Sequence, residues 1–92
     1  MIDDRPYRVE LSSEARRGPH RLPAKVAAAI VEFVTGPVAD NPARLSKSLG
    51  NELAGYRSAR RGDYRVLIRI DEDAHAVLVV RIDHRAAIYR SR

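Results

Sequence analysis

The 92-residue chain has no cysteine and no tryptophan, one methionine, one phenylalanine and three histidines. Without cysteine there is neither a disulfide framework nor a thiolate metal site, which agrees with a reducing compartment. His20, His75 and His84 are scattered, with no partner one helical turn away, so zinc spacings are missing and neither a metal nor another cofactor is expected. Long apolar runs are missing too. Nothing approaches the ~20 residues that cross a membrane, and Met1-Ile2-Asp3-Asp4-Arg5 lacks the basic-then-apolar layout of a secretory signal. The expectation is a cytoplasmic protein with no membrane contact. There is no GxSxG elbow, no glycine-rich phosphate loop and no pair of acids on neighbouring strand ends. The acidic run Asp71-Glu72-Asp73 falls where a hairpin needs a turn, and acids are ordinary there.

What the chain does have is enough apolar content, 45%, for one core. A single domain over residues 1–92 would bury roughly 60–65% of its unfolded surface. The formal charge is +5, and the cations are nearly all arginine, with lysine only at 25 and 47. The planar guanidinium fork binds oxyanions in pairs of hydrogen bonds, so an excess of arginine points towards phosphate. The placement sharpens this: Arg57, Arg60, Arg61, Arg65 and Arg69 lie within one short stretch against the single acid Asp63.

Hydropathy patterning gives the elements. Tyr7-Arg8-Val9-Glu10-Leu11 alternates as a first strand. Ser12 and Ser13 suit a helix N-terminus, and Gly18-Pro19 should break the helix that follows. Pro23 suits a first helical position. Leu22, Val26, Ala29, Ile30, Phe33 and Val34 then form one face of an amphipathic helix that stops at Gly36-Pro37. Val38 to Glu52 reads as a loop, with Leu45, Leu49 and Leu53 spaced for a helical turn. Gly55 to Arg60 reads as a short strand, and Arg61-Gly62-Asp63 as a tight link. In the next strand Tyr64, Val66, Ile68 and Ile70 fall on one face, and Arg65, Leu67 and Arg69 on the other. A turn at Asp71-Glu72-Asp73-Ala74 leads to a strand over His75 to Ile82, apolar on both faces in its middle and therefore inside the sheet. A turn at Asp83-His84-Arg85 and a short final strand over Ala86 to Tyr89 complete the chain. Helices grouped before a run of strands mean α+β, with the helices on one face of a mainly antiparallel sheet.

The segments Asn41-Pro42, Leu49…Glu52-Leu53-Ala54-Gly55, Arg60-Arg61-Gly62-Asp63-Tyr64-Arg65-Val66 and Val80-Arg81-Ile82-Asp83-His84-Arg85, with Tyr89 beyond, together resemble the RelE-like toxins of the RelE/ParE toxin–antitoxin superfamily. The resemblance runs nearly the whole chain. It implies two N-terminal helices packed on a small, barrel-like sheet. It also implies a type II toxin that cuts mRNA in the ribosomal A site by metal-independent attack of a 2′-hydroxyl, inhibiting translation. Carried onto this sequence, the implied catalytic residues are Arg65, Arg85 and Tyr89, with His84 as a further acid or base. Lys47, Arg57, Arg60 and Arg61 would bind RNA. The implied partners are a cognate RelB-like antitoxin, the ribosome and its mRNA, and operator DNA for the toxin–antitoxin complex. Two other readings share the fold: a ParE-like inhibitor of DNA gyrase without nuclease activity, and a catalytically dead antitoxin-binding co-repressor.

Overall fold

A computed structural model describes residues 5–17, 22–50 and 54–84. In chain order these form strand β1 (Arg8–Leu11), helices α1 (Ser13–Arg17), α2 (Ala24–Thr35) and α3 (Pro37–Asp40), and strands β2 (Ser46–Ser48), β3 (Arg57–Arg61), β4 (Tyr64–Asp71) and β5 (Ala76–His84). The break expected at Gly18-Pro19 and the strand expected over Ala86 to Tyr89 lie outside the described residues.

The strands make one sheet in the order β1-β5-β4-β3-β2. β2, β3, β4 and β5 pair antiparallel, while β1 joins β5 in parallel. The α+β architecture is as the patterning implies, but the sheet is mixed, and among the described residues it is open rather than closed into a barrel. The alternation in β4 holds: Val66 and Ile68 are fully buried beneath the helices. They meet Ile30, Phe33 and Val34 of α2, Val38 of α3, and Val77, Val79 and Ile82 of β5 in one apolar cluster. Each such side chain contributes ~1.5–3 kcal/mol of transfer free energy.

Three local devices set this geometry. Gly62 opens the two-residue link between Arg61 and Tyr64 with φ 61°, and among the described non-glycine residues only His75 shares the positive-φ region. Glycine at the first central position is the requirement of a type II′ hairpin, whose twist matches the strands it joins. In β5, Leu67 faces Arg81 while Ile68 faces Val79, so Val80 is an extra residue in the ladder. The bulge shifts the phase of β5: Val77 and Val79 point into the core before it, and Ile82 after it. This phase shift, together with partial cover of Leu78 and Val80, produces the apolar run that masks the alternation. The Ser12 hydroxyl donates to the Val80 carbonyl, 2.5 Å away, and accepts from the Ala15 amide at 3.0 Å. One side chain thus caps α1 and satisfies the bulged carbonyl.

The stretch from Val38 onwards differs from the expected loop. Gly36 follows α2 so closely that a Cβ there would lie 2.9 Å from the Glu32 carbonyl oxygen. Pro37 then starts the single turn α3, whose Val38 and Ala39 are buried. The expected helical turn is present only up to Leu45, whose amide donates to the Asn41 carbonyl at 3.2 Å and whose side chain packs on the core; from Ser46 the chain is extended instead of running helically to Leu49. The Leu49 amide donates to the Tyr56 carbonyl at 3.0 Å, and Lys47 pairs with Ser58 across the ladder; Leu53 lies outside the described residues. Hairpin pairing satisfies the backbone here and outweighs the weak four-residue spacing of the leucines. β5 also runs two residues past the expected strand end at Ile82 and into the expected turn at Asp83-His84-Arg85, reaching His84.

Candidate functional site

The face of the sheet away from the helices is built from the other phase of each strand. Register fixes its rows. Arg60 faces Arg65, which faces Asp83; the next row is Lys47, Ser58, Leu67 and Arg81; a third runs Arg69, Leu78 and Glu10. The row of paired arginines is electrostatically costly, because like charges opposite one another weaken a strand pair. The nearest acid in that row, Asp83, is already engaged by the Arg81 guanidinium at 2.8 Å. An anion laid across Arg60 and Arg65 would relieve the repulsion.

Arg44, Leu45, Lys47, Ser58, Arg60 and Arg65 are among the residues that line one open cleft of about 410 Å³. Arg65 is half-buried, while Lys47 and Arg60 are exposed. This cleft holds three of the residues singled out from sequence. Arg57 belongs to the opposite phase of β3. Its Nε donates to the Ser46 hydroxyl at 2.7 Å, Nη1 to the Ser48 hydroxyl at 3.0 Å, and Nη2 to the carbonyls of Ala43 and Ser46 at 3.1 Å. Its guanidinium therefore ties β2 to β3. Arg61 lies on the helix side, beside a groove of about 310 Å³ that it shares with Lys25, Val26, Ala29 and Tyr64. His84 sits edge-on to the Tyr64 ring, centroids 4.8 Å apart, in the register row next to Arg65 rather than facing it. Arg85 and Tyr89 lie outside the described residues; Arg85 directly follows His84 in the chain.

Ser58 and Arg44 line the cleft and were missed from sequence. The signal for Ser58 was available. A two-residue link at Gly62-Asp63 pairs Arg60 with Arg65 and Ser58 with Leu67, which separates Ser58 and Arg60 from Arg57 and Arg61. Arg44 carries no such signal, because its turn belongs to the stretch read as a loop.

Among the described residues, an open α+β sheet is covered by helices on one face and carries a row of guanidinium groups on the other, which defines a small cationic α+β protein. Comparison with known proteins gives the family. The model of the ParE toxin of type II toxin–antitoxin systems matches residues 9–89. The chain is 53% identical over 90 residues to Toxin RelE of Mycobacterium tuberculosis, covering 98% of this chain and 93% of that protein. It is 51% identical over 85 residues to Toxin RelG of the same organism, covering 92% and 98%. The toxin–antitoxin complex RelBE2 of M. tuberculosis contains a chain that matches with a TM-score of 0.84 at 49% identity, over 91% of this chain and 99% of that one. The isolated RelE toxin of Escherichia coli, 14% identical, shares the fold with a TM-score of 0.67 over 91% and 92% of the two chains. This chain belongs to the RelE/ParE family of toxins of type II toxin–antitoxin systems.

Proposed function

We propose that the chain is a ribosome-dependent endoribonuclease that cuts mRNA in the ribosomal A site and so inhibits translation. The observation that carries this reading is the convergence of Lys47, Arg60 and Arg65 on one open cleft among the described residues. In the proposed reaction a 2′-hydroxyl gives up its proton and its oxygen attacks the adjacent phosphorus. The bond to the 5′-oxygen breaks, and that oxygen takes a proton. The products are a 2′,3′-cyclic phosphate and a 5′-hydroxyl. Charge accumulates on the phosphorane oxygens, where a fixed guanidinium stabilises it more than it stabilises the ground state.

Arg65 is the proposed clamp on the phosphorane, joined by Arg85 and Tyr89 from the segment that follows β5. Arg60 and Lys47 hold the RNA backbone. Arg57 acts through the β2 wall that it braces. Arg61 and His84, on the rows facing the helices, are assigned no direct role in the reaction. The ribosome supplies the in-line geometry that a shallow cleft does not impose. A cognate antitoxin is the expected partner, as in the M. tuberculosis RelBE2 complex, and an acidic segment would complement the +5 charge of this chain. The toxin–antitoxin complex is the form expected on operator DNA.

The family description names ParE, which keeps the gyrase reading in contention. The two are separated by incubating the purified protein with mRNA-programmed ribosomes and, in parallel, with gyrase. Cuts confined to the A-site codon, with cyclic phosphate and 5′-hydroxyl ends, are expected. Intact mRNA together with inhibited supercoiling would replace the nuclease reading by the ParE-like one.

A further inference from the structure

Four residues along β4 from Arg65, about 13 Å at strand spacing, the same face changes character. The Arg69 guanidinium carbon lies over the Tyr56 ring, 5.2 Å from its centroid. Among the described residues Arg69 takes part in no ion pair, because Glu10, the acid in its row, is held by Arg8 at 2.9 Å. On the other side of Arg69 opens a cleft of about 520 Å³, with Ala76 and Leu78 among its apolar lining and Arg8, Glu10 and the acidic turn Asp71-Glu72-Asp73 among its charged lining. Leu78 is the direct cross-strand neighbour of Arg69.

We infer that this second cleft is a subsite for one unpaired base of the mRNA, outside the scissile linkage and resting on the proposed nuclease reading. Tyr56 holds the Arg69 guanidinium, and bases stack well on guanidinium planes and on apolar floors. The carboxylates of the lining disfavour phosphate and ribose-phosphate backbone, so a base enters while the backbone stays over Arg60 and Arg65. Glu10 and Asp71 can accept hydrogen bonds from an exocyclic amino group. The subsite therefore prefers cytosine, adenine or guanine to uracil. It contributes selection of sequence near the cut, and no group in it takes part in bond cleavage.

The test uses the full-length protein and two readouts. In the first, mRNA on programmed ribosomes carries a single abasic position, moved one nucleotide at a time around the cut. One position should lower wild-type cleavage about tenfold, and the same position should have no further effect in Arg69→Ala. Cytidine there should outperform uridine. In the second, a short single-stranded RNA with 2′-O-methyl riboses is followed by fluorescence anisotropy. Arg69→Lys, which keeps the charge and loses the plane, should bind as weakly as Arg69→Ala, whereas Tyr56→Phe, which keeps the ring, should match wild type. Melting temperatures confirm that each variant is folded. Retention of binding and base preference in Arg69→Lys, or equal abasic penalties in wild type and Arg69→Ala, would overturn the subsite while leaving A-site cleavage in place. Loss of cleavage in every context, with the Arg69 pattern kept in the binding assay, would remove the nuclease reading and leave the subsite standing.

Discussion

On one side of β3, Arg57 gives its guanidinium to four acceptors of the protein itself. On the other, Arg60 stands opposite Arg65 with an open cleft before it. Only three positions separate Arg57 from Arg60, yet the strand's period of two puts them in different environments. A satisfied arginine strengthens the sheet, and its removal strands several hydroxyls and carbonyls. An arginine facing another arginine weakens the sheet unless an anion bridges the pair, and among the described residues Arg60 gives the protein one long hydrogen bond, from Nε to the Gly62 carbonyl at 3.4 Å. The same contrast runs along β4, where Val66 and Ile68 are sealed under the helices and Arg65 and Arg69 are not. One face is a scaffold, and the other is the proposed working surface.

Substitutions on the two faces should therefore fail differently. The largest stability loss is expected from Ile68→Ala, about 2–5 kcal/mol for a fully buried side chain, seen as a lower denaturation midpoint with little change in cleavage per folded molecule. Arg57→Ala should follow, at about 1–3 kcal/mol from the groups it leaves unpaired, and its cleavage should fall only because the β2 wall loosens. If Arg57→Ala abolished cleavage without any loss of stability, the division of the two faces would be wrong at that residue. Ser12→Ala is smaller, about 1 kcal/mol for the cap with the bulged Val80 carbonyl losing its donor, measured by chemical denaturation. The smallest effect belongs to the exposed cations of the cleft. Lys47→Ala or Arg60→Ala should leave stability within about 0.5 kcal/mol. Each should make the slope of log binding constant against log salt shallower by ~0.7, the increment for one phosphate contact on a single strand.

Much of this division is legible in the residues themselves. The alternation from Tyr64 to Ile70 separates the two faces of β4, and the spacing from Leu22 to Val34 identifies the helix that covers one of them. Gly62-Asp63 marks the hairpin, but the link read as Arg61-Gly62-Asp63 is one residue shorter in the fold, because β3 extends through Arg61, and that residue sets the pairing of Arg60 with Arg65. Two things resist reading. The bulge at Val80 shifts the phase of β5, and its stabilising partner, Ser12, lies 68 positions away, so no local pattern announces it. β2 is three residues long, Ser-Lys-Ser, with no apolar alternation; it exists because β3 offers it an edge and Arg57 fastens it there. Arg57 illustrates the limit for the site as well. Composition places it among the basic residues, but only the pairing with Ser46 and Ser48 reveals where its hydrogen bonds go.

The central claim is that the face away from the helices cuts RNA through Arg65. The most direct measurement is primer-extension mapping of A-site cleavage on programmed ribosomes by wild type and by Arg65→Ala, both checked for equal melting temperature. If Arg65 clamps the phosphorane, the cleavage rate falls about 10²–10³-fold, the size seen when one fixed donor to a developing oxyanion is removed, with the fold intact. Cleavage by Arg65→Ala at the wild-type rate would contradict it.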